Sequence, residues 1–152
     1  MGQQLTIDND LLAEEFFEDA CLMGVMAPIP YYQFCCIIKE NLGFSFVNDI
    51  TSEIQLQQRK KSSKLKRDYF FSVFRFQEKN SPVEHVLYNN RHDGRYLLPE
   101  CKHIDYIWMI HGMTANDEPV QELVRLLRSL KEVQLIAELT ADKVKNKKNL
   151  IL

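Results

Sequence analysis

Apolar residues recur along the chain with two different periods, and the switches between them mark out its elements. From Tyr31 to Leu42 they fall at Tyr31, Phe34, Cys35, Ile38 and Leu42, the stripe of an amphipathic helix, with Gly43 as its stop. A second stripe, Val120, Leu123, Val124, Leu127 and Leu130, follows Asn116 as N-cap. Asp117 and Glu118 at its start and Arg128 and Lys131 at its end match the helix dipole. Elsewhere the period is two. Ile50, Ser52, Ile54 and Leu56 alternate with polar neighbours, and Tyr69 to Gln77 is dense in aromatics, with Phe70, Phe74 and Phe76 on one predicted face. The two segments read as antiparallel strands joined by a long basic loop. Glu84–Asn89 and Gly94–Leu98 flank a turn-forming stretch and predict a second hairpin. Ile104 to Ile110 is apolar on both faces and predicts a central strand. Ala20–Met26 and Val133–Leu139 complete the strands, the latter with Val133, Leu135, Ala137 and Leu139 on one face.

The order is β, α, several antiparallel β, α, β. Two helices cannot cover both faces of such a sheet, so the pattern predicts an α+β two-layer sandwich: a mainly antiparallel five- to six-stranded sheet with both helices packed on one face. The opposite face is then partly wet, or covered by a protein partner or a second copy of the chain. No repeat or linker divides residues 1–152, which read as a single α+β domain with a basic hairpin loop at 59–67 and a Lys-rich C-terminal tail at 142–152.

Composition narrows the class. With 45% hydrophobic and 26% charged residues, the chain is neither disordered nor fibrous. At 152 residues it can bury a sufficient core without disulfides or metals. No apolar run approaches the roughly 18–20 residues that span a bilayer. Asp8, Asp10, Glu14 and Glu15 stand where a secretory leader would carry Lys or Arg, which predicts a cytoplasmic chain. Cys21, Cys35, Cys36 and Cys101 lack zinc-site spacing and read as free thiols filling small apolar sites; no metal or cofactor is expected.

The segment Leu98-Pro99-Glu100, three residues, then Ile104-Asp105-Tyr106, is the most peculiar short stretch. It resembles the signature of the IPExxxVDY proteins, an uncharacterised bacterial family found chiefly in Bacteroidetes. Leu98 stands for the Ile of that pattern and Ile104 for the Val, while Pro99, Glu100, Asp105 and Tyr106 match directly. Tyr31 to Gly43, Leu135–Leu139 and Lys147–Leu152 resemble the family's first helix and C-terminus. The resemblance implies neither an activity nor a cofactor.

Read physically, Pro99 suits entry to a strand or a bulge, and Glu100 and Asp105 suit either an acid/base pair or anchors that accept hydrogen bonds from nearby loops. The anchoring role is favoured, because neither carboxylate lies in a catalytic motif. Cys101, His103 and Asp105 would share a face of a regular strand, but same-face neighbours stand about 7 Å apart, too far for a nucleophile to meet its base. His85, His92 and His111 have no ligand spacing. The strongest charge feature is Arg59, Lys60, Lys61, Lys64, Lys66 and Arg67, with Lys143, Lys145, Lys147 and Lys148 as a second cluster, in a chain of net charge −2. These cations could hold RNA phosphates weakly, or keep a hairpin soluble. A non-enzymatic interaction or adaptor protein is therefore the leading expectation. An RNA-associated protein using the basic loop and an enzyme using Glu100 and Asp105 are the alternatives.

Overall fold

The computed structural model describes residues 17–59, 66–140 and 143–152. Its elements are β1 (Ala20–Met26), α1 (Tyr31–Leu42), β2 (Val47–Asn48), β3 (Ile54–Arg59), β4 (Lys66–Phe71), β5 (Val73–Gln77), β6 (Glu84–Asn89), β7 (Arg91–His92), β8 (Arg95–Tyr96), β9 (Tyr106–His111), α2 (Glu118–Arg128) and β10 (Leu135–Glu138). Six of the strands form one sheet in the order β10-β1-β9-β6-β5-β2, every neighbouring pair antiparallel. β3–β4 and β7–β8 are separate hairpins.

The sheet is built outward from β9, whose apolar residues on both faces fit only a central strand. Trp108 and Ile110 join the core beneath the helices, while Ile107 and Met109 join a second core on the other side. Both helices pack on the first face, Phe34 and Ile38 from α1 and Val120, Leu123 and Leu127 from α2 meeting Met23, Val25 and Leu87 of the sheet. Each such large side chain contributes roughly 1.5–3 kcal/mol on full burial. Gly43 ends α1 at φ 75°, donating its N–H to Lys39 O. On the same side, Trp108 Nε1–H donates to His85 Nδ1 at 3.0 Å, and His85 Nε2 lies 2.9 Å from Glu78 Oε1. Phe44, Phe46 and Phe76 pack around that pair.

The second face is not open to solvent or to a partner. Tyr69 and Phe71 of the β3–β4 hairpin, the 97–104 segment, and Val144 and Leu150 near the C-terminus cover it. Val86, Tyr88, Ile107 and Met109 are completely buried as a result. The expectation of a sheet face available for docking is thereby corrected: hydrophobic surface from segments far apart in sequence closes it from within the chain.

Several boundaries differ from the sequence reading for local reasons. Ile50–Ser52 is a 3₁₀ turn rather than strand, because Asp49 accepts hydrogen bonds from Thr51 N, Thr51 Oγ1 and Ser52 Oγ. The aromatic run Tyr69–Gln77 is two strands, broken at Ser72, that belong to different sheets. Phe70 is consequently exposed on the hairpin while Phe74 lies in the helix-side core. The hairpin expected between Glu84–Asn89 and Gly94–Leu98 is instead the tight β7–β8 turn. Asp93 (φ 51°) and Gly94 (φ 78°) supply its two left-handed residues, and β6 pairs with β5 and β9. In β10, Ile136 is the buried residue and Leu135 is exposed. At α2 the N-cap is Asp117, not Asn116, and its carboxylate turns back to accept from Thr114 N at 2.8 Å.

Candidate functional site: the signature segment and its basic layer

Pro99 does not enter a strand. It opens a 3₁₀ turn, Pro99–Cys101, where a missing N–H costs nothing at the first position. Glu100 leaves that turn to cap the C-terminal segment, its Oε1 accepting from Lys145 N at 3.1 Å and Asn146 N at 3.0 Å and its Oε2 from Asn146 Nδ2 at 2.6 Å. Partial burial opposes its ionisation, but the donors from Asn146 and Lys145 outweigh it and hold the carboxyl below its ordinary range. Asp105 stands at the start of β9 and accepts from Ala27 N through Oδ2 at 2.9 Å, fixing the turn that follows β1. Tyr106 stacks on Phe34 with ring centroids 4.5 Å apart and donates its hydroxyl to Ile29 O. Leu98 and Ile104 are fully buried. Glu100 thus ties the turn to the C-terminal segment, while Asp105 and Tyr106 tie β9 to the turn that follows β1.

The residue that holds this segment together is one the sequence reading passed over. Asn90, completely buried, accepts from Leu98 N at 2.8 Å and donates to Cys101 O at 3.0 Å and Ile104 O at 2.8 Å. Asn89 beside it is the same residue type, and only the backbone folding around Asn90 sets it apart. The signal available was weak: an Asn just after a strand and eight residues before the Leu-Pro-Glu turn.

Glu100 and Asp105 therefore do not converge as an acid/base pair; they serve opposite ends of the segment. Cys101, His103 and Asp105 do not share a strand face either, since Cys101 ends the 3₁₀ turn and β9 begins only at Tyr106. Burial raises the Cys101 thiol pKa and pushes those of Cys21 and Cys35 up to about 11, so none of these thiols is poised as a thiolate. Among the described residues no three His, Cys, Asp or Glu side chains gather in metal-binding distance, and no buried polar side-chain atom lacks a partner. No helix there is long and apolar enough to cross a membrane.

Of the basic loop, Lys60, Lys61 and Lys64 lie outside the described residues, and Arg59 and Lys66 are placed as the pairing ends of β3 and β4. Arg67 pairs with Asp93 across to the β7–β8 hairpin. Arg67 and Arg95 both sit over the Tyr69 ring, at 5.3 and 5.7 Å from its centroid. The C-terminal lysines are not on a free arm: Leu150 O accepts from buried Tyr88 at 2.7 Å, and Asn149 Nδ2 donates to Leu97 O at 2.8 Å. The C-terminal cluster and, of the basic run, Arg59, Lys66 and Arg67 thus fall in the one layer that covers the second face of the sheet. In its described segments, 54–59, 66–71, 91–104 and 143–152, that layer carries ten Lys and Arg against three Asp and Glu.

No protein-family model matches the sequence, and no curated protein resembles it significantly.

Proposed function

We propose that this chain is a non-enzymatic binding protein that grips RNA phosphates with the basic layer over the second face of its sheet. The observation that carries the reading is the concentration of ten cations against three acids in the described segments of that layer, with Lys60, Lys61 and Lys64 following Arg59 in the sequence. Counterion release from phosphates makes such a surface attractive to nucleic acid despite a net charge of −2. The sequence carries no RRM, KH or OB signature to read bases, so binding rests on phosphate contacts and is sequence-independent and weak, with dissociation constants no tighter than about 10⁻⁶ M near physiological salt. An enzymatic role for Glu100 and Asp105 as an acid/base pair has less support, because main-chain N–H groups of two different segments engage one oxygen of each carboxylate and the two do not converge. The likeness to the IPExxxVDY pattern is part of this proposal. It supports a shared way of bracing the fold, and the four free thiols suit the reducing cytoplasm.

Fluorescence anisotropy with unstructured RNA oligonucleotides of several sequences, from about 50 to 200 mM salt, tests the reading. Affinity should fall steeply with salt and vary little with sequence. It should be lost when Arg59, Lys60, Lys61, Lys64, Lys66 and Arg67 become Gln. No binding at low salt, or a salt-insensitive complex, would refute it.

A further inference from the structure

A cleft of about 340 Å³ opens where β1 runs into α1, lined by the Pro28–Pro30 turn, Tyr31, Asn89, Arg91, Asp105 and Tyr106. Its volume is at the lower end of the range of small-molecule sites. The walls are fixed before any ligand arrives. Asp105 Oδ2 holds Ala27 N, Ile29 N donates to Ala27 O at 2.8 Å, and Tyr106, stacked on Phe34, holds Ile29 O. The two prolines lock their own φ angles and bring no N–H to be satisfied.

Within this frame two opposite charges face each other without closing. Arg91 Nη2 lies 3.7 Å from Asp105 Oδ1, beyond hydrogen-bond length, with the Arg91 side chain about half exposed and the Asp105 side chain 16% exposed. Asp105 has engaged only Oδ2, so Oδ1 retains its lone pairs, and the Arg91 guanidinium retains its donors for a planar anion. We propose that this cleft binds a small zwitterion, an α-amino acid with an apolar side chain. Its ammonium group meets Asp105 Oδ1, its carboxylate meets Arg91, and its side chain lies against Ile29, the prolines and the Tyr31 ring. The amino and carboxylate groups of an α-amino acid sit on one carbon, on the order of 3 Å apart, which matches the separation of the two protein charges. A ligand with only one charge leaves the opposite site unmatched and brings its own charge against a like one, so the pair selects against simple anions and cations.

Titration calorimetry on the full chain with L-leucine and L-phenylalanine tests the assignment, with 3-phenylpropionate and phenethylamine as probes lacking the ammonium and the carboxylate respectively. The amino acids should bind, and each single-charge analogue should bind at least about tenfold more weakly. Arg91→Gln should weaken amino-acid binding by about ten- to a hundredfold while leaving the melting temperature of the free protein unchanged, since Arg91 makes no close hydrogen bond. Tyr31→Ser should erase the preference for leucine and phenylalanine over glycine. Equal binding of the analogues, unaltered affinity in Arg91→Gln, or no amino-acid binding at millimolar concentration would each overturn the proposal.

Discussion

Replacing Asn90 with Ala removes the amide that the signature segment folds around, and the cost follows from what is left behind. Three hydrogen bonds disappear, to Leu98 N, Cys101 O and Ile104 O. Cys101 O still accepts from Ile104 N at 3.1 Å, so two groups, the Leu98 N–H and the Ile104 carbonyl, lose the partner that Asn90 supplies. Asn90 has no exposed surface, so water reaches neither group without local opening. Each stranded group costs about 1–3 kcal/mol, and the pair therefore about 2–6 kcal/mol. That is a large part of the 5–15 kcal/mol that typically holds a folded chain together. For a chain of this length the melting temperature should fall on the order of 5 to 20 °C. Asn90→Asp sharpens the test. It keeps the volume and the bond from Leu98 N, but sets a carboxylate oxygen against the Cys101 and Ile104 carbonyls. Burial there favours the protonated acid, which can donate once, so its folded-state pKa is raised. The variant should be closest to wild type at low pH and lose stability as pH rises above the unfolded carboxyl value of about 3.9. Urea unfolding of both variants across pH measures this. An Ala variant within about 2 °C of wild type would refute the claim that Asn90 organises the segment.

Burial lowers the His85 pKa from 6.5, outweighing the opposing pull of Glu78, so the folded chain holds fewer protons than the unfolded one as pH falls below that value. The His85 contribution is present above about pH 6.5 and is lost on acidification, when a second proton would set an Nδ1–H against the Trp108 N–H. His85→Gln, which can still accept from Trp108 and donate to Glu78, should lose stability less steeply between about pH 7 and pH 5. The single Trp makes fluorescence a direct reporter, and identical slopes for the two chains would exclude the mechanism. A Cβ on Gly24 would stand 2.8 Å from Ile104 Cδ1, a side chain with no exposed surface, so Gly24→Ala should cost about 1–3 kcal/mol. In an Ile104→Val background, which lacks that methyl, thermal melts should show a smaller cost; an undiminished one would place the strain elsewhere.

Local pattern was enough to locate both helices, the strand Ala20–Met26 and the central strand through Trp108. A stripe at helical spacing, or apolar residues on both faces of a strand, has a single way to be buried, so the sequence by itself determined an α+β chain with its helices on one side of an antiparallel sheet. It could not determine that Tyr69–Phe71 and Val73–Gln77 part company at Ser72. Both are aromatic β-formers, and which sheet each joins depends on the surface waiting to be covered. The same long-range competition closed the second face with the chain's own hairpin and C-terminal segment, and in doing so brought Lys66 and Arg67 into one layer with the C-terminal lysines. The chemical standing of single residues was decided there as well. Asn90 and Asn89 are the same residue type side by side, yet only Asn90 is fully buried with its amide engaged three times, because the folded backbone brings Leu98, Cys101 and Ile104 to it. Glu100 and Asp105 read as an acid/base pair or as anchors until the N–H groups of Ala27, Lys145 and Asn146, from distant parts of the chain, reached them. Periodicity carries which way a side chain points; hydrogen-bond partners up to 78 residues away are supplied only by the tertiary fold.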